Sequence, residues 1–163
     1  MESLASFTDL AERQRPAILR YLVRFLGDEQ EAQDVCQDAF LRAQRAFSRL
    51  TDDCNARAWL YRIATNCAIN AARQRSRRHA LIAEADPDAL PAHAGTSVDQ
   101  REQLRAVARA VRDLPPRQRA ALMLRRFEGL NYAEIATSLG GSAAAARANV
   151  YQAVKKLRAA RRR

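Results

Sequence analysis

Residues 128–163 read "EGLNYAEIATSLGGSAAAARANVYQAVKKLRAARRR", two helix-like segments hinged on Gly140 and Gly141 and closed by arginines. Asn131 and Glu134 have capping-box spacing, which starts a short helix carrying Tyr132, Ile135, Ala136 and Leu139. The glycine pair permits a tight left-handed turn, and Ser142 can cap the helix that follows. A short helix, a glycine turn and a longer basic helix form the sequence pattern of a helix-turn-helix. With Ala146, Val150, Ala153 and Leu157 on the core, a turn of 100° per residue sends Ala144, Arg147, Ala148, Tyr151, Gln152 and Lys155 outward. Gln152 can offer two hydrogen bonds to an adenine edge and Arg147 can take guanine or phosphate; Lys155, Lys156 and Arg158 suit backbone phosphates. A helical hairpin with a solvated basic face would show the same pattern, so the rest of the chain has to discriminate.

Charge does so. The 163 residues carry a net charge of +10, and residues 113–163 hold 11 basic residues against 3 acidic ones. A second basic block, residues 57–78, has six arginines and no acid, whereas residues 28–38 have five acids and no base. Two basic surfaces and one acidic segment imply two kinds of partner, with phosphate the expected ligand of the basic ones. An anionic membrane surface is disfavoured, because no strongly apolar amphipathic face or lipidation signal accompanies the charge.

Five glycines, five prolines and an excess of Ala, Leu, Arg and Gln favour an all-α fold. Apolar spacing predicts a first helix over 9–26, stopped by Gly27, and a second over 29–48 started by the Asp28–Glu31 capping-box spacing. A third covers 56–77, with Leu60, Ile63, Ala64, Cys67 and Ala71 on its core stripe. Residues 79–98, with two prolines and no periodicity, read as a flexible linker between two small helical domains, 9–78 and 99–163. In the second domain a helix carrying Leu104, Val107, Ala108 and Val111 ends at "LPP". Another starts on Pro116 and runs to Gly129.

The third helix adds a second candidate surface. Trp59, Arg62, Asn66, Asn70, Arg73 and Arg77 form one stripe beside the apolar one. An aromatic, two amides and three arginines in line can stack on exposed bases and hold their phosphates. Core packing is at least as good an account of Trp59 but does not explain the arginines. Cys36, Cys54 and Cys67 match no zinc spacing with His79 and His93, so reduced thiols and no metal or cofactor are expected. The first residues lack the apolar core of a signal peptide, and no apolar run approaches the ~20 residues of a membrane span, so a cytoplasmic protein without membrane insertion is expected. No paired-carboxylate, Ser-His or metal constellation suggests catalytic residues.

"EAQDVCQDAFLRAQRAF" (31–47), "ARAWLYRIATNCAINAARQRSRR" (56–78) and "LPPRQRAALMLRRFEGLNYAEIATSLGGS…VYQAVKKLR" (114–158) resemble regions two and four of bacterial sigma factors, in the order and with the short linker of the extracytoplasmic-function group. The resemblance covers most of residues 9–160. It implies a subunit without its own catalysis that binds core RNA polymerase, directs it to promoter DNA and assists melting. Asp34, Gln37, Asp38, Leu41, Arg42 and Arg45 match the helix that docks on the β′ clamp helices, and the β flap is a further expected contact. The stripe from Trp59 to Arg77 matches the minus-ten reader. The loop Thr51, Asp52, Asp53, Cys54, Asn55 and Ala56 matches the pocket for a flipped base, and the last helix matches the minus-thirty-five reader. Gln44 replaces a common aromatic, Asn70 a common acid, and Ala143 to Ala146 a more varied helix start. The resemblance further implies an anti-sigma factor as partner and a monomer when free. Two alternatives stay open: a stand-alone helix-turn-helix regulator, which needs no acidic docking helix, and a sigma mimic that titrates an anti-sigma factor.

Overall fold

A computed structural model describes residues 6–81 and 98–162, so most of the linker expected at 79–98 and His93 lie outside the described residues. Among those residues the chain is helical: α1 (Phe7–Leu26), α2 (Glu29–Ala46), a 3-10 turn (Phe47–Arg49), α3 (Ala56–Leu81), α4 (Val98–Asp113), α5 (Pro116–Arg126), α6 (Tyr132–Leu139) and α7 (Ala143–Arg161).

Local chemistry explains the boundaries. Ser6 accepts from the Asp9 N–H to start α1, which continues through the exposed Pro16 and stops where Gly27 turns left-handed at φ 72°. Asp28 accepts the Glu31 N–H at 2.8 Å, but the Glu31 carboxylate pairs with Arg75 on α3 instead of returning to the cap. The capping box at Asn131 and Glu134 is reciprocal, with bonds of 2.9 and 2.8 Å. α2 tightens into the 3-10 turn two residues before its expected end, and α3 runs four residues past its own.

α1, α2 and α3 pack around Tyr21, Leu22, Phe25, Phe40, Leu60 and Tyr61. Tyr21 and Thr65 share a buried hydrogen bond of 2.8 Å, and the Tyr21 and Tyr61 rings meet edge to face at 5.5 Å. The second half gathers α5, α6 and α7 around Leu124, Leu130, Ile135 and Ala153, and α4 packs on α7. The two halves touch chiefly where α6 lies on α3 and α5 approaches α1 and α3.

Burial pushes the Tyr21 phenol well above its ordinary pKa. Burial, and then the bond to Glu128, do the same to Tyr61. A raised folded-state value means stability is intact below the unfolded-state pKa near ~10 and is lost as pH climbs through the folded one. Above about pH 10, therefore, stability should fall by about 1.4 kcal/mol per pH unit for each tyrosine. The buried thiols of Cys36 and Cys67, raised by burial too, add the same sign from about pH 8.5. Urea midpoints measured between pH 9 and 11.5 check this: Tyr21→Phe should flatten the slope, and an unaltered slope would remove Tyr21 from the account.

Candidate nucleic-acid and protein interface

The turn before α7 forms because Gly140 adopts φ 70° and donates its N–H to the Ala136 carbonyl at 2.8 Å, after which Ser142 caps α7 through the Ala145 N–H at 3.1 Å. This orientation buries Ala146 and Ala153, half-buries Val150 and Leu157, and leaves Ala144, Arg147, Ala148, Tyr151, Gln152 and Lys155 exposed. The outward face is the one helical arithmetic predicts. Lys156, outside that set, donates its amine to the Gln118 Oε1 of α5 at 3.0 Å. An open cleft of about 550 Å3 runs along α7 from Tyr132 to Arg162, with Arg147, Lys155 and Arg158 on its walls.

On α3, Arg62, Asn66, Asn70, Arg73 and Arg77 are exposed, but Trp59 is half-buried and packs at the edge of the core, 6.5 Å from the Phe47 ring. The indole packs against the core edge and keeps part of its surface in solvent. In the preceding loop Thr51, Asp52, Asp53 and Asn55 are exposed, and Cys54 and Ala56 are partly covered. Asn55 caps α3 by accepting the Ala58 N–H at 3.0 Å, and its amide donates to the Glu134 carboxylate of α6 at 3.2 Å. Arg62 lies against the glycine turn, since a Cβ built on Gly140 would sit 3.6 Å from its guanidinium.

α2 presents Asp34, Gln37, Asp38, Leu41, Arg42 and Arg45 to solvent, with Leu41 47% exposed. The helix divides them. Gln37 and Leu41 line a cleft of about 430 Å3 shared with Phe7 and Leu19 of α1. Asp34, Asp38 and Arg42 line another of about 410 Å3 opposite Asn70, Arg73 and Arg77 of α3. Asp38 pairs with Arg42 at 3.0 Å. Carboxylates and arginines that sequence reading assigned to separate surfaces therefore face one cleft.

Sequence reasoning missed the residues between the halves. Glu128 accepts the Tyr61 hydroxyl at 2.7 Å and pairs with Arg24 at 3.5 Å, while its carbonyl accepts from Arg57 at 2.7 Å. Arg119, buried on α5, donates to the Phe25 carbonyl at 3.2 Å and stacks on the Phe25 ring at 4.9 Å; burial lowers its pKa. The buried Ser138 hydroxyl lies 3.1 Å from the Ala58 carbonyl. No periodicity marks these positions, because each partner is 67 or more residues away in sequence.

Among the described residues no cluster of three His, Cys, Asp or Glu could hold a metal ion, and no helix is long and apolar enough to cross a membrane. Residues 10–78 match the family model Sigma-70 region 2, and residues 104–157 match Sigma-70, region 4. The RNA polymerase sigma-H factor of Pseudomonas aeruginosa is 35% identical over 158 residues, spanning 91% of this chain and 82% of that protein. The extracytoplasmic-function RNA polymerase sigma factor SigG of Mycobacterium tuberculosis is 30% identical; the match takes in 98% of this chain but 50% of SigG. The sigma factor RpoE, solved with the anti-sigma factor NepR from Bartonella quintana, shares the fold at a TM-score of 0.72 and 22% identity, over 94% of this chain and 95% of RpoE. With regions two and four in order and a relative of this similarity along nearly its whole length, the chain belongs to the extracytoplasmic-function group of sigma-70 factors, the promoter-specificity subunits of RNA polymerase.

Proposed function

We propose that the chain docks on core polymerase through α2, reads the minus-thirty-five element with the exposed face of α7, and holds the minus-ten element with α3 and the loop 51–56. Residues 9–78 and 99–163 act as the two working domains, joined by the linker at 79–98. The observation that carries this reading is the cleft where Asp34, Asp38 and Arg42 of α2 face Asn70, Arg73 and Arg77 of α3. A regulator that only bound duplex DNA would have no use for an acidic docking ridge beside a nucleic-acid face. The phosphodiester chemistry belongs to the polymerase, the protein works in the cytoplasm as a monomer when free, and an anti-sigma factor is its proposed inhibitor.

Unstacking a base costs a few kcal/mol, more than the modest surface of α3 can repay alone. Docking through α2 supplies the missing binding energy and the position. The amide of Asn55 is bonded to Glu134 and Arg62 abuts Gly140, so the halves part before the loop receives a base. Permanganate footprinting of unpaired thymines tests the division of labour. Opening is expected with the reconstituted holoenzyme and absent with the free protein or core enzyme. Exchange of residues 51–56 should move the downstream preference and leave the upstream one in place. Opening by the free protein, or a loop exchange that alters only the upstream preference, would overturn the proposal.

A further inference from the structure

Arg147 is the one guanidinium among the six outward residues of α7 proposed to read the upstream element, and it lies against an aromatic ring. Its guanidinium carbon lies 5.1 Å from the centroid of the Tyr132 ring. The same ring holds Arg125, from the last turn of α5, at 4.9 Å. Arg125 is in turn anchored by donating to the Leu130 carbonyl at 3.1 Å. Tyr132 itself is half-buried at the first position of α6, directly behind the Asn131 cap. One ring on a capped helix thus gathers a cation from the helix before it and a cation from the recognition helix after it.

We propose that Tyr132 is a positioning residue for base reading, holding Arg147 in the orientation that meets a base edge. The inference rests on the assignment of Arg147 to the upstream element. An exposed arginine has many rotamers, and bidentate contact with guanine O6 and N7 needs a planar fork in one orientation. Left free, the same side chain would settle as readily on a neighbouring phosphate, which gives affinity without sequence information. The negative face of the ring attracts both guanidiniums and confines the mobile one. Among the described residues no carboxylate pairs with Arg147, so the ring is the group that restrains it. The adjoining cleft places Lys155 and Arg158 further along α7 and Arg162 just past its end, where they can take phosphate while Arg147 is kept for the base.

The test is a randomised-promoter selection with core polymerase reconstituted with the full chain, run beside the salt dependence of promoter binding. Four variants are compared with the unaltered chain: Tyr132→Leu, Tyr132→Phe, Arg147→Ala and Lys155→Ala. Tyr132→Leu should lower the preference at the base pair that Arg147→Ala affects by about 2- to 5-fold, the ratio a cation–π contact at an exposed site supports. Its salt slope should be unchanged, because no phosphate contact is lost, whereas Lys155→Ala should lower the slope by about one and weaken all sequences alike. Tyr132→Phe keeps the ring face and should retain the preference. Thermal unfolding of each variant separates positioning from loss of fold. If Arg147→Ala shifts the preference and Tyr132→Leu does not, or if Tyr132→Leu weakens every sequence equally, the positioning role is wrong and the reading of Arg147 stands. If Arg147→Ala leaves the preference intact, the assignment of Arg147 fails and the role of Tyr132 fails with it.

Discussion

Asp38→Arg is expected to weaken binding to core polymerase by about 30-fold or more, the loss that follows when one partner of a charge pair desolvated in an interface is removed, about 2 to 5 kcal/mol. Asp38 stands mid-way along the exposed ridge of α2 and lines the cleft shared with α3. Reversal does more than delete an acceptor: it sets a new cation beside Arg42 and opposite Arg73 and Arg77. The domain should tolerate the change. The Asp38–Arg42 pair is about half exposed on both sides, and solvent-screened pairs of this kind contribute little to stability. Fluorescence anisotropy of the labelled chain titrated with core enzyme gives the affinity, and thermal unfolding followed by circular dichroism gives the stability. Undiminished affinity in a folded variant would take Asp38 out of the docking surface.

Glu128→Ala should loosen the contact between the halves by about 1 to 3 kcal/mol, the penalty for stranding buried hydrogen-bonding groups. The carboxylate is 7% exposed and serves two donors at once, the fully buried Tyr61 hydroxyl and the Arg24 guanidinium. Arg57 keeps its bond to the main-chain carbonyl, so the loss is confined to the side chain. The population with the halves apart should rise roughly 5- to 150-fold at that energy. Hydrogen exchange should quicken in α6, whose Ser138 and Glu134 lean on α3, and stay slow in the core around Tyr21. Glu128→Gln keeps an acceptor for Tyr61 and should fall between the two. Freed from α6, Asn55 and Arg62 should make the loosened protein bind single-stranded minus-ten DNA more tightly than the parent. Unchanged exchange in α6 for Glu128→Ala would show that the carboxylate does not hold the halves.

How far the sequence could be read depended on the length scale of each interaction. The helices of the first half were legible because amphipathic spacing, Gly27 and the cap at Asp28 act within one or two turns. Even there a tertiary partner intervened: Glu31 had the right position for a reciprocal cap, and Arg75, 44 residues away, took its carboxylate. Trp59 could not be decided from its position on a wheel, because stacking platform and core edge differ only in what lies across from the indole. Phe47, brought back by the turn after α2, is the neighbour that wheel geometry could not supply.

The last helix shows both halves of the lesson. Its outward face, from Ala144 to Lys155, follows from the sequence alone, since Gly140, Ser142 and the buried alanines set the phase of the helix within a few residues. The same arithmetic could not see Gln118 of α5, which accepts the Lys156 amine. It placed Arg147 outward without the Tyr132 ring that restrains it, and it placed Asp38 and Arg73 on different surfaces when packing sets them around one cleft. Periodicity and caps report the direction in which a side chain leaves its own helix. What it meets is set by how helices distant in sequence are packed, and the bonds of Glu128, Arg119 and Ser138 across the two halves arise only there.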